Sequence, residues 1–381
     1  MIKVRGSLRK KQFFFYESVQ DRAVHYRIMH QAANDEEYNK IVTKLQLKGV
    51  DFLDRKDIVI DYAKVTITKN CFLRCVHCYV SGGELKHTIS KDFMFKIIDT
   101  LYDMGVVNIR FTGGEPLIYN GIFDILDRAY KRDMFIHLTT NSILFNEHPE
   151  LIKRVKEYNP VVSTSLDGPD IESHEAIRGS NTFDRTVNAI RKLRENEVTV
   201  RVNTTLNTGA VKKLEKMLYL LKSLNVKDWG MLELYFLGRA SLNQSIIPEY
   251  GEVVSALKRL QVAKQGVPEV EVHGYLFDIL QGLRSENEPQ CNDYRYRVDI
   301  ETCENPNEVN VDTLPWPHRR LANINNFESV LAEQTNRRAT DQFELPSKEV
   351  CSGCDYQFKC LISPYSKTST YFPVAQVQSA V

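Results

Sequence analysis

The chain has 381 residues, enough for two or three domains of about 150 residues each, and its 43% hydrophobic and 26% charged content is globular and excludes a disordered chain. Its 50 basic and 49 acidic residues leave a formal charge of +1, so no overall field points to nucleic acid or an anionic membrane as partner. No apolar run approaches the roughly 18 residues of a spanning helix, and the apolar stretch at 13–16 is too short for a signal-peptide core; a cytoplasmic location is expected.

Residues 1–60 read as a small separate unit. QFFFYESV (12–19) and AVHYRIM (23–29) suggest short strands, 34–48 a helix punctuated by Asn34 and Gly49, and KDIVIDY (56–62) a further strand. From 61 to 240, strand and helix patterns alternate. The strand candidates are VTIT (65–68), VVNIRF (106–111), FIHLTT (135–140), VVSTSL (161–166), VTVRVNTTL (198–206) and LELYFL (232–237). Helices are expected between them at 90–105, 121–132, 149–158, 182–196 and 211–224, the first capped by Ser90 and stopped by Gly105. Repeated βα units call for a parallel sheet with right-handed crossovers. The expected fold class is α/β: a partial (β/α)6 TIM-like barrel with a small N-terminal unit and a loop-rich C-terminal extension. Chemistry then belongs at the C-terminal strand ends. The third region, 241–381, opens with a helix at 249–265; beyond it the pattern is irregular, and 368–381 reads as a frayed tail.

The eight cysteines are clustered, and without a secretion signal clustered cysteines read as metal ligands before disulfides. CFLRCVHC places Cys71, Cys75 and Cys78 at C-x3-C-x2-C spacing on the loop after the first barrel strand. Three thiolates can hold three corners of a [4Fe–4S] cube and leave the fourth iron open, whereas electron-transfer clusters take four cysteines. Zinc is the competing metal, but structural zinc wants four closed ligands, and His77 sits awkwardly inside the short loop. The second strand ends in FTGGEPL (111–117), where Gly113 and Gly114 permit close backbone approach and Glu115 adds a carboxylate.

CFLRCVHCY together with FTGGEP resembles the radical S-adenosylmethionine (SAM) superfamily, over about 65–240. TTNS (139–142) and SLDGPDIESHEAIRG (165–179) resemble the branch with a SPASM or twitch extension, which includes peptide-modifying maturases. The resemblance implies a cluster on Cys71, Cys75 and Cys78, with SAM chelating the open iron. One electron then yields methionine and a 5′-deoxyadenosyl radical that abstracts a substrate hydrogen. It implies Gly113, Gly114 and Glu115 for the methionine amino group, and Ser165 and Arg178 for its carboxylate. Asn141 or Asp167 is implied for the ribose, and Tyr79 and Leu237 for the adenine wall. His77 departs from the aromatic residue usual before the third cysteine. Asp167 has a plainer reading too, because Asp-Gly-Pro is itself a good turn.

CSGCDYQFKC (351–360) resembles the core of the SPASM motif, but no cysteine follows Cys360. One auxiliary [4Fe–4S] cluster is expected, from Cys351, Cys354 and two of Cys291, Cys303 and Cys360; a structural zinc site is the rival. DYRYRVD (293–299) offers Asp293, Tyr294 and Asp299 as candidate acid/base groups, while His273 and His318 read as loop histidines. The branch suggests a ribosomally made precursor peptide as substrate, modified by cross-linking, oxidation or epimerisation. Residues 1–60 would be a leader-binding or cap element, and a flavodoxin or ferredoxin the electron donor. The alternatives are a small-molecule oxidase acting on a sugar or amino acid, and an iron–sulfur protein without turnover.

Overall fold

The computed structural model describes residues 2–7, 12–18, 25–48, 51–55, 62–234, 238–274, 277, 280–281, 297–312 and 320–340. The N-terminal unit holds β1 (Ile2–Ser7), β2 (Gln12–Ser18), β3 (His25–Gln31), α1 (Asp35–Leu47) and β4 (Asp51–Arg55). They form one sheet in the order β3-β2-β1-β4, antiparallel except for the parallel pair β1–β4. Asn34 caps α1 by accepting the Glu37 N–H at 2.9 Å. The expected strands at 12–19 and 23–29 are thus present, while β1 and β4 are additions. The strand expected at 56–62 lies almost wholly outside the described residues.

The barrel units run β5 (Tyr62–Thr68), α2 (Lys91–Asp103), β6 (Asn108–Gly113), α3 (Ile122–Lys131), β7 (Phe135–Thr140), α4 (Ile143–Glu147), α5 (Glu150–Lys156), β8 (Val161–Ser165), α6 (Ile171–Arg178), α7 (Phe183–Glu195), β9 (Val200–Thr205), α8 (Leu214–Ser223) and β10 (Asp228–Leu232). Strands β5 to β10 are parallel neighbours in sequential order, as expected for a partial barrel. The sixth strand is the correction: it is DWGML (228–232), not LELYFL. Trp229 and Met231 are its buried apolar pair. Gly230 leaves room for the side-chain ends of Asn203 and Arg201: a Cβ there would lie 2.5 Å from Asn203 Oδ1 and 2.8 Å from Arg201 Nη2. Helices α4 and α6 were not anticipated.

The strands are two-faced. Val65, Ile67, Ile109, Phe111, Ile136, Leu138, Val162, Val202, Trp229 and Met231 pack into one core with the helices. Alternate residues point to the opposite, inner wall, where Asp299, Lys64, Arg110 and His137 stand in register on adjacent strands. Arg201 and Asp228 are likewise in register and lie 3.4 Å apart.

Beyond α9 (Tyr250–Lys264) the chain is less irregular than expected. β11 (Glu271–His273) joins β10 in parallel. β12 (Arg297–Thr302), β13 (Glu308–Asp312), β14 (Arg320–Asn323) and α10 (Phe327–Thr340) follow. β12 pairs in parallel with β5, and β13 and β14 extend the sheet antiparallel. Val298, Ile300, Val309, Val311, Phe327 and Leu331 belong to the barrel core. Phe327 meets Phe93 of α2 edge to face, with centroids 5.8 Å apart, and Ser90, the α2 cap, donates to Asn307 Oδ1 at 2.7 Å. No helix among the described residues is long and apolar enough to cross a membrane.

Because Ile300 is wholly buried between β5 and β13, Ile300→Ala should cost about 2–5 kcal/mol and lower the denaturant midpoint of the barrel itself. A loss below about 1 kcal/mol would show that the C-terminal strands are a separable layer.

Candidate functional site

Loop 69–90 leaves the C-terminal end of β5 and carries the three cysteines. It has little regular structure, so other strand ends hold it. Lys69 N–H donates to His87 C=O and Gly83 N–H to Lys69 C=O, each at 2.7 Å. From the end of β6, Gly114 N–H donates to Thr68 C=O at 2.8 Å and Glu115 N–H to Asn70 C=O at 2.7 Å. A Cβ on Gly113 would fall 2.1 Å from the Thr68 carbonyl oxygen, and one on Gly114 2.1 Å from that of Asn70. Gly113 also has φ +141°, which L side chains rarely adopt. The close approach that the glycine pair permits is therefore to the cysteine loop.

Each cysteine sulfur meets one N–H donor. Leu73 N–H points to Cys71 Sγ at 3.4 Å, Gly82 N–H to Cys78 Sγ at 3.2 Å, and Arg178 Nη1 to Cys75 Sγ at 3.8 Å. Burial pushes the Cys71 thiol up to about 12 and raises Cys75, whose nearby Arg178 charge opposes the shift. A metal bound here must displace those protons. Among the described residues no three His, Cys, Asp or Glu side chains group around a single ion; a cubane instead asks one corner of each cysteine.

Glu115 is fully buried. Its Oε1 accepts from Thr140 Oγ1 at 2.7 Å and Leu117 N–H at 3.0 Å, and its Oε2 from Asn141 N–H at 2.8 Å. Burial raises its pKa against these three donors. The carboxylate expected at the barrel mouth is thus a brace joining the ends of β6 and β7. Asn141 beside it keeps a buried Nδ2 with no hydrogen-bond partner among the described residues.

Asp167 is also inaccessible to solvent. Oδ2 pairs with Arg178 Nε at 2.5 Å, and Oδ1 accepts the Thr205 N–H at 2.7 Å. Its own N–H donates to His174 Nδ1 at 3.1 Å. Burial opposes its charge, yet Arg178 prevails and holds the carboxyl below its ordinary range. With both oxygens engaged inside the protein, Asp167, named with Asn141 for the ribose, is built as a brace between the ends of β8 and β9 and Arg178. Arg178, expected at the methionine carboxylate, lies between Asp167 and Cys75. His77 Nε2 is 3.6 Å from Asp167 Oδ2. Burial and then the Arg178 charge push its pKa down to about 4, so at neutral pH this contact joins a neutral ring to a carboxylate.

Ser165 ends β8, half-buried, in register with Asn203. The Tyr79 ring lies 5.3 Å from Lys64 Nζ, which is itself 3.6 Å from Asp299 Oδ2 on β12. Cys303, at the end of β12, accepts from Asn310 Nδ2 at 3.2 Å. Leu237, Cys291, Cys351, Cys354 and Cys360, with Asp293, Tyr294 and His318, lie outside the described residues. Arg239 was missed. Its Nε donates to Cys75 C=O at 2.8 Å, its Nη atoms to Gly82 C=O at 3.3 Å and to Glu84, and its N–H to Cys78 C=O at 3.0 Å. The loop after the sixth strand thereby clamps the loop after the first. Only the short Gly238–Arg239 step signals this, since a Cβ on Gly238 would meet the Cys78 carbonyl oxygen at 2.5 Å.

Glu115→Ala strands three donors, the buried Thr140 hydroxyl and Asn141 N–H and the part-buried Leu117 N–H, each worth about 1–3 kcal/mol when left unsatisfied. Thermal unfolding should show a loss of at least about 3 kcal/mol, while Glu115→Gln, which keeps the shape and one acceptor oxygen, should lose less.

The residues present fit an open-iron cluster with a bound SAM. Three thiols share one loop with an N–H donor apiece. Asn141 Nδ2 on the same rim, and Thr139 Oγ1 and Ser163 Oγ on the inner wall, are buried polar atoms without partners among the described residues. The AdoMet-dependent heme synthase of Nitratidesulfovibrio vulgaris is 29% identical over 196 residues, 50% of this chain and 53% of that protein. The antilisterial bacteriocin subtilosin biosynthesis protein AlbA of Bacillus subtilis is 31% identical over 172 residues, 44% of this chain and 38% of that protein. The chain thus spans about half the length of the curated relatives it matches. Streptococcus suis SuiB, solved with the precursor peptide SuiA, superposes with a TM-score of 0.63 at 14% identity, covering 93% of each chain, which shows a shared fold. The family model of the Radical SAM superfamily matches the very stretch that bears the cysteine loop, the glycine pair and the Asp167–Arg178 brace: residues 65–238 are a radical SAM domain.

Proposed function

We propose that this chain is a cytoplasmic radical SAM enzyme that modifies a ribosomally made precursor peptide. The observation that carries the enzymatic reading is the cysteine loop, three thiols with one N–H donor each, locked to the ends of β6 and β10. A [4Fe–4S] cluster with SAM supplies, when bound, a 5′-deoxyadenosyl radical able to take a hydrogen atom from the substrate. Cys71, Cys75 and Cys78 hold the cluster. The backbone at Gly113–Glu115 receives the methionine ammonium, Ser165 and Arg178 its carboxylate, and Asn141, through its Nδ2, a ribose hydroxyl. Tyr79 borders the adenine side. Cys351 and Cys354, with two of Cys291, Cys303 and Cys360, hold one auxiliary cluster, and a flavodoxin or ferredoxin delivers the electron.

The peptide reading is supported by the N-terminal sheet. β3 and β4 are its outermost strands among the described residues, and an edge can accept an extended leader as a further strand. The likenesses to AlbA and to SuiB with its precursor peptide point the same way. A second reading, a small-molecule oxidase, is favoured by the charged inner wall of Lys64, Arg110, Arg201, Asp228 and Asp299 and by the likeness to a heme synthase.

The test is anaerobic reconstitution, reduction, and incubation with SAM and each small peptide that the neighbouring genes are found to encode. 5′-Deoxyadenosine formed together with a mass change in the peptide is expected. Deoxyadenosine with an unchanged peptide would favour the second reading. Wild-type protein should take up about eight irons, and Cys75→Ala about four with loss of SAM cleavage. Cleavage at the wild-type rate in Cys75→Ala would sink the whole assignment.

A further inference from the structure

The Asp167–Arg178 pair is buried, ionic and aimed at one cysteine, which is more than a brace requires. Asp167 is fixed from three sides. Thr205 N–H at the end of β9 holds Oδ1, His174 takes its main-chain N–H, and Asn207 Nδ2 approaches its carbonyl at 3.4 Å. It cannot follow the arginine, so the arginine is held to it. Arg178 ends α6, with 14% of its side chain exposed, and extends Nη1 to the Cys75 sulfur. Hydrogen bonds and charge around the sulfurs are among the main protein levers on an iron–sulfur potential, and a low-dielectric interior makes a fixed charge count for more.

Resting on the cluster reading above, we propose that Asp167 is a positioning residue that holds the Arg178 guanidinium beside the Cys75 sulfur, and that this buried pair sets the reduction potential of the cluster bound there. The guanidinium favours the extra electron, and the carboxylate behind it limits that effect. The two residues therefore act on the potential with opposite sign.

The experiment is a redox titration of the reconstituted full-length protein. It follows the reduced-cluster EPR signal, identified in the wild-type protein as the one that changes on adding SAM, and is run without SAM in every variant. Asp167→Asn keeps the shape and removes the negative charge, so the midpoint should rise. Arg178→Gln should lower it. A shift of about 59 mV in either direction is a tenfold change in the reduced-to-oxidised ratio at fixed potential. The double variant exchanges an ion pair for a neutral pair and should return toward wild type. Single variants that move the midpoint in the same direction, or leave it unmoved with iron content intact, overturn the proposal. If Asp167→Asn fails to retain iron, the comparison passes to Arg178→Lys and Arg178→Gln, which both leave Asp167 in place. A lower midpoint for Gln than for Lys supports the proposal, and equal midpoints overturn it. A wild-type protein that takes up no iron overturns the cluster reading instead, before any variant is made.

Discussion

Two backbone hydrogen bonds, Gly114 N–H to Thr68 C=O and Glu115 N–H to Asn70 C=O, fasten the cysteine loop to the end of the neighbouring strand. They form only where the two backbones meet without a Cβ between them. Everything else at the rim is arranged around that contact. Glu115 turns inward and ties β6 to β7 through Thr140 and Asn141. Asp167 ties β8 to β9 and, through Arg178, back to Cys75. Arg239 closes the ring from beyond β10. The loop has no core of its own, so its conformation is a property of five neighbouring strand ends, β6 to β10, acting together.

This arrangement explains which parts of the site were legible in the sequence. C-x3-C-x2-C and Gly-Gly-Glu are local spacings, and each sits where a strand pattern ends. The internal hydrogen bonds of Glu115 and Asp167 were not legible. A carboxylate in a turn motif looks the same whether it faces a ligand or is consumed by buried N–H groups of a distant strand. The Arg239 clamp spans more than 150 positions, and its only local trace is one glycine.

The fold was legible where the apolar face of a strand was continuous enough to mark it. Parallel strands covered on both faces normally read as unbroken apolar runs. Here the inner wall carries Lys64, Arg110, Arg201 and Asp228, so the signal is halved. In the sixth strand Gly230 and Asp228 erase it, and the neighbouring LELYFL looks stronger. RVDIET and EVNVD alternate one apolar residue with one polar one and were too short to stand out against loop. What they bury, Val298, Ile300, Val309 and Val311, is nonetheless part of the main core.

The position of β5 between β6 and β12 has a consequence for the order in which the protein can be made. Val65 meets Phe111 soon after both leave the ribosome, but its other neighbour, Ile300, is synthesised only after the rest of the barrel. Until then β5 is an open edge, with unpaired N–H and C=O groups in a strand holding Val65 and Ile67, the kind of edge that invites foreign strands. Pairings that close long loops form slowly, and nascent chains present them N-terminal half first. The strand that carries the cysteine loop is thus the last in the barrel to be sealed on both sides, and a chain halted before residue 297 leaves that edge to a chaperone or to another copy of itself.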